Sequence, residues 1–290
     1  MRAYLPAFDL RAPASVEEAL GLLASGAGWR PFAGGTDVMV QLEAGSLPEA
    51  RYVGLWKLAD LRGIRDAGDV LEIGALTTYT DLLNSEAVRR HCPLLRRAAA
   101  ETGGVATQNR GTIGGNIANA SPAADTPPAL LVYDAELELI SIRGARRVPY
   151  DRFHLGYKKM DLAPDEIIAR IRVPKRLPAW TEYYRKVGTR RAQAISKVCL
   201  AAALQTSAAT GVVSDVRIAL GSVAPTVVRA RAAETALRGQ PLSGSSVAAA
   251  RRALADDTVP IDDLRSTARY RLSVAERVLA EFLEATASLA

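Results

Sequence analysis

Apolar residues recur at helical spacing near the start of the chain and at alternate positions further on, and the two periods divide it into elements. Val16, Ala19, Leu20 and Leu23 fall on one helical face behind Ser15-Val16-Glu17-Glu18. That tetrad is a capping box, in which Ser15 caps the amide three residues on and Glu18 reaches back; Gly26 supplies the stop. Arg30 to Ala33 reads as a short strand running into Gly34-Gly35. Val38 to Leu42 is short and apolar, Gly45 to Pro48 turns the chain, and Tyr52 to Leu55 is a further strand. The opening stretch therefore predicts a small α/β unit.

Val70 to Ala75 reads as a strand, Thr78-Tyr79-Thr80-Asp81 opens a helix with a second capping signature, and Cys92 to Glu101 forms another helix closed by Gly103-Gly104. From Ala106 to Pro122 small and polar residues dominate and nothing repeats with helical period, so the segment reads as loop. Tyr133 to Ile142 and Ile167 to Val173 are strands; in the second, Ile167, Ala169, Ile171 and Val173 alternate with Arg170 and Arg172, as in a half-buried strand. The proline-punctuated segment Pro174 to Pro178 marks the best domain boundary. Three more strands follow at Thr181 to Val187, Val198 to Thr206 and Val213 to Leu220. Helices then come at Ser246 to Leu254 and in a last segment capped by Ser273-Val274-Ala275-Glu276, with Val278, Leu279, Phe282 and Leu283 as its apolar face.

At 290 residues the chain has room for two or three domains. No apolar run approaches the ~20 residues that span a bilayer, and the segment from Met1 to Asp9 lacks a signal-peptide core, which places the protein in the cytoplasm. The net charge of +6 is spread among Asp and Glu rather than clustered, which argues for a solvated basic surface and against nucleic acid. Two cysteines, Cys92 and Cys199, and two histidines, His91 and His154, are too few for an iron–sulfur or structural zinc site within this chain. Both cysteines read as small buried hydrophobes.

The glycine pairs carry the candidate chemistry. Backbone amides can converge on the oxygens of a diphosphate where side chains do not stand in the way, which calls for glycine. Gly34-Gly35 and Gly114-Gly115 meet that need, and Thr36 and Thr112 add hydroxyl donors. Asn116 and Asn119 suit either a phosphate or a neighbouring loop; Asp125 suits a ribose hydroxyl or the loop amides. Gly26-Ala27-Gly28 begins like a dinucleotide fingerprint, but Pro31 stands at its last glycine position. A P-loop, a Gly-x-Ser-x-Gly elbow and a His-Glu-x-x-His pair are all missing from the sequence. With little acid–base machinery, the chain fits a protein whose cofactor does the chemistry.

Pro31-Phe32-Ala33-Gly34-Gly35-Thr36-Asp37 and the long run Arg110-Gly111-Thr112-Ile113-Gly114-Gly115-Asn116-Ile117-Ala118-Asn119-Ala120-Ser121-Pro122-Ala123-Ala124-Asp125 closely resemble the FAD-binding medium subunit of the molybdenum hydroxylases, the carbon monoxide dehydrogenase and xanthine dehydrogenase group. Tyr183 to Arg191 and Ile195 to Val198 resemble that family's small terminal domain, so the likeness covers essentially the whole chain. It implies an α+β fold: a vanillyl-alcohol-oxidase-like FAD-binding domain of two α/β subdomains, residues 1–55 and 56–176, and a C-terminal domain at 177–290 with a three-stranded antiparallel sheet and helices.

Carried over by motif position, Ala33, Gly34, Gly35, Thr36 and Asp37 form the first diphosphate loop, and Thr112, Gly114, Gly115 and Asn116 the second. Asp125 holds the ribose region, Ile168 is an apolar residue against the cofactor, and Lys186 is a basic residue near the flavin ring, with Tyr184 close by. Thr102 stands where relatives carry a bulky residue. The resemblance further implies a large molybdopterin-binding partner and a small 2Fe–2S partner, assembled as a dimer of heterotrimers. Electrons then reach FAD from iron–sulfur clusters and pass to a quinone, NAD or oxygen. Two other readings stand beside it: a self-contained flavin oxidase, for which His91-Cys92 is the candidate covalent anchor, and a non-enzymatic scaffold or flavin carrier.

Overall fold

In the computed structural model, which describes residues 7–47, 51–175, 180–190, 192–207 and 209–288, the first sheet is parallel and small. Its strands are β1 (Asp9–Arg11), β2 (Arg30–Phe32) and β3 (Arg51–Gly54), in the order β1-β3-β2, with α1 (Val16–Ala24) and α2 (Val38–Glu43) as connections. Ser15 caps α1 by accepting from the Glu18 amide at 3.2 Å, while the Glu18 carboxylate reaches back to the amide of Ala14. The apolar stretch after the first glycine pair is thus helix α2. Pro48, the Met1–Pro6 segment, Arg191 and the part of the domain boundary at 176–179 lie outside the described residues.

The second sheet is antiparallel throughout. It contains β4 (Ile64–Ala67) and β5 (Val70–Gly74), then helices α3 (Tyr79–Asn84), α4 (Glu86–His91), α5 (Pro93–Glu101), α6 (Val105–Gln108), α7 (Ile113–Ala118) and α8 (Pro127–Val132) intervene. Strands β6 (Glu136–Ser141) and β7 (Gly144–Pro149), the hairpin β8 (His154–Gly156) and β9 (Lys159–Met160), and β10 (Ile167–Pro174) complete this part, in the sheet order β4-β5-β10-β6-β7. The expected strand from Tyr133 is shorter than the sequence predicts: Tyr133 ends α8, where its hydroxyl accepts the Leu94 amide at 2.9 Å. The segment read as loop after Thr112 is in fact helix α7. Two glycines among six residues hid its period, but Thr112 caps it by accepting from the Gly115 amide.

Past residue 180, β11 (Thr181–Val187), β12 (Val198–Thr206) and β13 (Val213–Gly221) form the expected antiparallel sheet, and the two-residue strand β14 (Val228–Arg229) extends its edge. Strand β12 is buried on both faces, and its alternation sorts side chains by size. Cys199, Ala201 and Ala203 face the first part of the molecule, whereas Val198, Leu200, Leu204 and the smaller Ala202 join the core under α9 (Arg231–Leu237), α10 (Gly244–Ala253) and α11 (Ala268–Ala287). The small face lets the C-terminal sheet lie close on α8, so the domains share one core rather than a wet seam. Helix α11 is capped by Thr267, not Ser273. Its buried Arg271, which donates to the carbonyls of Lys197 and Ser222 and to Asp263, interrupts the apolar pattern there.

Candidate functional site

A cavity of about 730 Å³ lies between the first sheet's loop at Ala33–Val38, helix α7 and strand β10. Ala33, Gly34, Gly35, Thr36, Asp37, Thr112, Gly114, Gly115, Asn116 and Ile168 all line it, and so does Thr102. Sequence positions about eighty residues apart therefore meet on one wall, as the two glycine motifs require. Asp125, Lys186 and Tyr184 are not on that wall; they form a buried group behind it. His91 and Cys92 do not line it either, and Cys92 is fully buried in the core, which leaves the covalent-anchor reading without its residue.

The two loops touch. A Cβ built on Gly34 would stand 1.8 Å from the Arg110 carbonyl oxygen, so the first glycine exists to let one backbone lie on the other. Gly35 adopts φ +78°, the left-handed region that glycine enters without strain. A Cβ on Gly114 would stand 2.6 Å from the Ala75 methyl, which fixes α7 against the end of β5. The ring of Trp56 lies under both Arg62 and Arg110, 4.1 and 3.7 Å from their guanidinium carbons, and steadies the carbonyl that Gly34 meets.

The donors differ between the loops in a way that the sequence does not reveal. In the second loop the amides are spent: Ile113 donates to the Thr77 carbonyl, Gly114 to Ala75, Gly115 to the Thr112 hydroxyl and Asn116 to the Thr112 carbonyl. What remains there is the Thr112 hydroxyl proton and the Asn116 side-chain NH2, whose Oδ1 already accepts from Thr126 at 2.6 Å. In the first loop the amides of Gly34, Gly35 and Thr36 have no acceptor among the described residues. Those three form a ready anion nest, and the second loop adds side-chain donors. Replacing Thr112 by valine removes the α7 cap. It is expected to lower stability by about 1 kcal/mol, read as a shift in the urea midpoint at unchanged slope.

Behind the wall, Lys186 Nζ donates to Asp125 Oδ2 at 2.7 Å and to the Glu101 carbonyl at 2.8 Å. The other carboxylate oxygen, Asp125 Oδ1, is buried with no hydrogen-bond partner among the described residues. Burial pushes the Asp125 carboxyl up to about 6, against the pull of the Lys186 ammonium. Tyr79, which lines the cavity, lies close enough for the Asp125 charge to help raise its phenol. Tyr184 donates its hydroxyl to the Asp125 carbonyl at 3.2 Å.

These features fit FAD. The volume is within the range of about 300–1,000 Å³ common for organic ligands. The nest supplies donors for a diphosphate, and apolar walls at Leu55, Leu76, Tyr79, Met160 and Ile168 suit planar rings. Sequence reasoning missed Lys158, in the β8–β9 turn, and Ile195, which brings the C-terminal part of the chain to the cavity. Lys158 sits in no motif, and Ile195 belongs to the terminal-domain segment rather than to a glycine loop; only tertiary contacts bring them to the site.

Comparison with known proteins points to the same cofactor. Residues 6–176 match the model of the FAD binding domain in molybdopterin dehydrogenase, and residues 182–286 match the CO dehydrogenase flavoprotein C-terminal domain. The chain is 34% identical over 281 residues to the xanthine dehydrogenase FAD-binding subunit of Escherichia coli, covering 94% of each. It is 33% identical over 281 residues to the carbon monoxide dehydrogenase medium chain of Hydrogenophaga pseudoflava, covering 97% of each. In the solved carbon monoxide dehydrogenase from that organism, a chain superposes with a TM-score of 0.93 at 34% identity, over 97% of this chain and 98% of that one.

Proposed function

This chain belongs to the FAD-binding flavoprotein family of the molybdopterin dehydrogenases, and from that premise we propose that it is the electron-transfer subunit of a multi-subunit molybdenum hydroxylase. It is an oxidoreductase subunit with FAD as its cofactor. Its partners in this reading are a large molybdopterin-binding chain and a small 2Fe–2S chain, paired as a dimer of heterotrimers in the cytoplasm. Electrons enter from the small chain's clusters and leave to a quinone, NAD or oxygen.

The observation that carries the reading is the triplet of uncommitted amides at Gly34, Gly35 and Thr36 on the wall of a cavity large enough for a dinucleotide. In this site Ala33 to Asp37 hold the diphosphate through the main chain, Thr112 and Asn116 hold it through side-chain donors, and Ile168 packs against a ring. Bound there, FAD supplies the step between carriers that move one electron and acceptors that take two. Behind the cavity wall, Lys186 holds Asp125 through Oδ2. Lys186 then acts as a positioning residue and places positive charge beside the buried carboxylate.

The test is reconstitution. The purified full chain, freed of flavin and given FAD, is expected to retain one equivalent through gel filtration and to release it on acid denaturation. A chain that retains none overturns the reading; one that keeps flavin through acid denaturation belongs instead to the covalent oxidases. Native purification from the source cell is expected to bring down two further chains together with molybdenum and iron.

A further inference from the structure

We propose that Lys158 is the side-chain cation that balances the charge of the cofactor's diphosphate, an inference that rests on the FAD reading above and adds a residue that no motif carries. A diphosphate brings two negative charges, and neutral amides alone leave them uncompensated. The second loop is poorly placed to help, because the first four amides past Thr112 are spent on Thr77, Ala75 and Thr112 itself.

The charged side chains along the cavity are Arg30, Asp37, Lys158 and Glu166, and Glu166 is already held by Arg146. Lys158 is the lining cation whose ammonium is fixed at the end of α7, within electrostatic reach of the first loop. Its Nζ donates to the Asn119 carbonyl at 2.6 Å and to Asn119 Oδ1 at 2.5 Å, at the C-cap of α7. It also feels the charge of Asp37 in the first loop.

The turn that presents Lys158 is built to hold it there. His154, at the other end of the hairpin, donates from Nε2 to the Ile117 carbonyl at 3.0 Å, so both the turn and the open end of the β8–β9 hairpin are pinned to α7. Lys158 itself adopts φ +56°, a conformation that glycine or asparagine takes at less cost, and the chain keeps a lysine there. Lys158 is exposed, yet neighbouring protein partly desolvates its ammonium and lowers its pKa, and an anion placed beside it relieves that penalty. Its present acceptors are neutral oxygens, and a phosphate oxygen is the stronger partner.

The experiment titrates the flavin-free full chain with FAD at several salt concentrations, following flavin fluorescence. Lys158→Met keeps the stem and removes the charge; Lys158→Arg keeps the charge. At low salt the methionine variant is expected to bind about tenfold more weakly, as for loss of one charge-assisted hydrogen bond. Its affinity should also fall less steeply with added salt, because screening acts on the missing charge. The arginine variant should return to within about threefold of the wild type on both measures. An unchanged affinity and salt slope in the methionine variant overturns the proposal, and so does an arginine variant as weak as the methionine one. Should Lys158→Met fail to fold, Lys158→Gln is titrated by the same criteria. A wild-type chain that takes up no FAD counts against the cofactor reading itself, before Lys158 is at issue.

Discussion

Substituting Gly34 by alanine is expected to abolish tight flavin binding while leaving the rest of the chain folded. The new methyl would sit 1.8 Å from the Arg110 carbonyl oxygen and 2.7 Å from its carbon. Both are backbone atoms, and Arg110 is steadied by its stack on Trp56, so the loops must part. The amides of Gly34, Gly35 and Thr36 then lose their common focus. Two charge-assisted hydrogen bonds to a phosphate, at about 1.5–3 kcal/mol each, correspond to more than roughly a hundredfold in affinity. Isothermal titration of the apo chain with FAD measures this. Gly21→Ala is the control, since nothing stands within 4 Å of a Cβ there and the residue lies within α1. If Gly34→Ala binds FAD as the control does, the close contact of the two loops has no part in holding the cofactor.

Removing the Lys186 charge is expected to have the largest effect on stability. The Asp125 and Lys186 side chains are 10% and 7% exposed, and breaking a buried pair by deleting one partner costs about 3–5 kcal/mol. The pH dependence gives the sign. Asp125 already titrates at about 6 in the fold, above the roughly 3.9 of a free aspartate. The folded chain thus binds a proton that the unfolded chain does not, and this carboxyl's contribution to stability falls as pH rises from about 4 to about 6. Lys186→Met removes the attraction that restrains the shift, so Asp125 rises further and the window of falling stability extends toward neutral pH. Urea midpoints should therefore differ strongly between wild type and variant at pH 7 and converge on acidification. Pairing Lys186→Met with Asp125→Asn should recover most of the loss, because no buried charge is then left alone. An equal gap at both pH values would show that lost packing of the lysine stem, not charge, is the cause.

Where one residue's local chemistry decides an element, the sequence is readable. Ser15 and Thr78 announce their helices because a hydroxyl three residues before an acid is a self-sufficient cap. Strands β10 to β13 stand out because alternation or an unbroken apolar run survives in them. Helix α7 does not, since Gly114 and Gly115 occupy the turns that would carry its period, one of them to admit Ala75. Helix α11 starts early because buried Arg271 is paid for by partners from Lys197, Ser222 and Asp263 that no local window contains. The site divides the same way. The glycine motifs and Ile168 can be named from the sequence and meet at one cavity, whereas the pairing of Asp125 with Lys186, the spent amides of α7 and the arrival of Lys158 and Ile195 are products of the finished fold.

The cavity wall runs from Arg30 to Ile195 and draws on the three larger sheets and the β8–β9 hairpin, or the loops beside them. A molecule seated there acts as a rivet through segments that are strangers along the chain. Its contribution grows with its concentration, reaching about 4 kcal/mol at a thousandfold excess over its dissociation constant. Unliganded copies are expected to open at this junction first and to meet proteases there. A cell starved of riboflavin is therefore expected to hold less of the polypeptide, rather than the same amount lying idle, and its half-life in a pulse-chase should lengthen when the vitamin is restored.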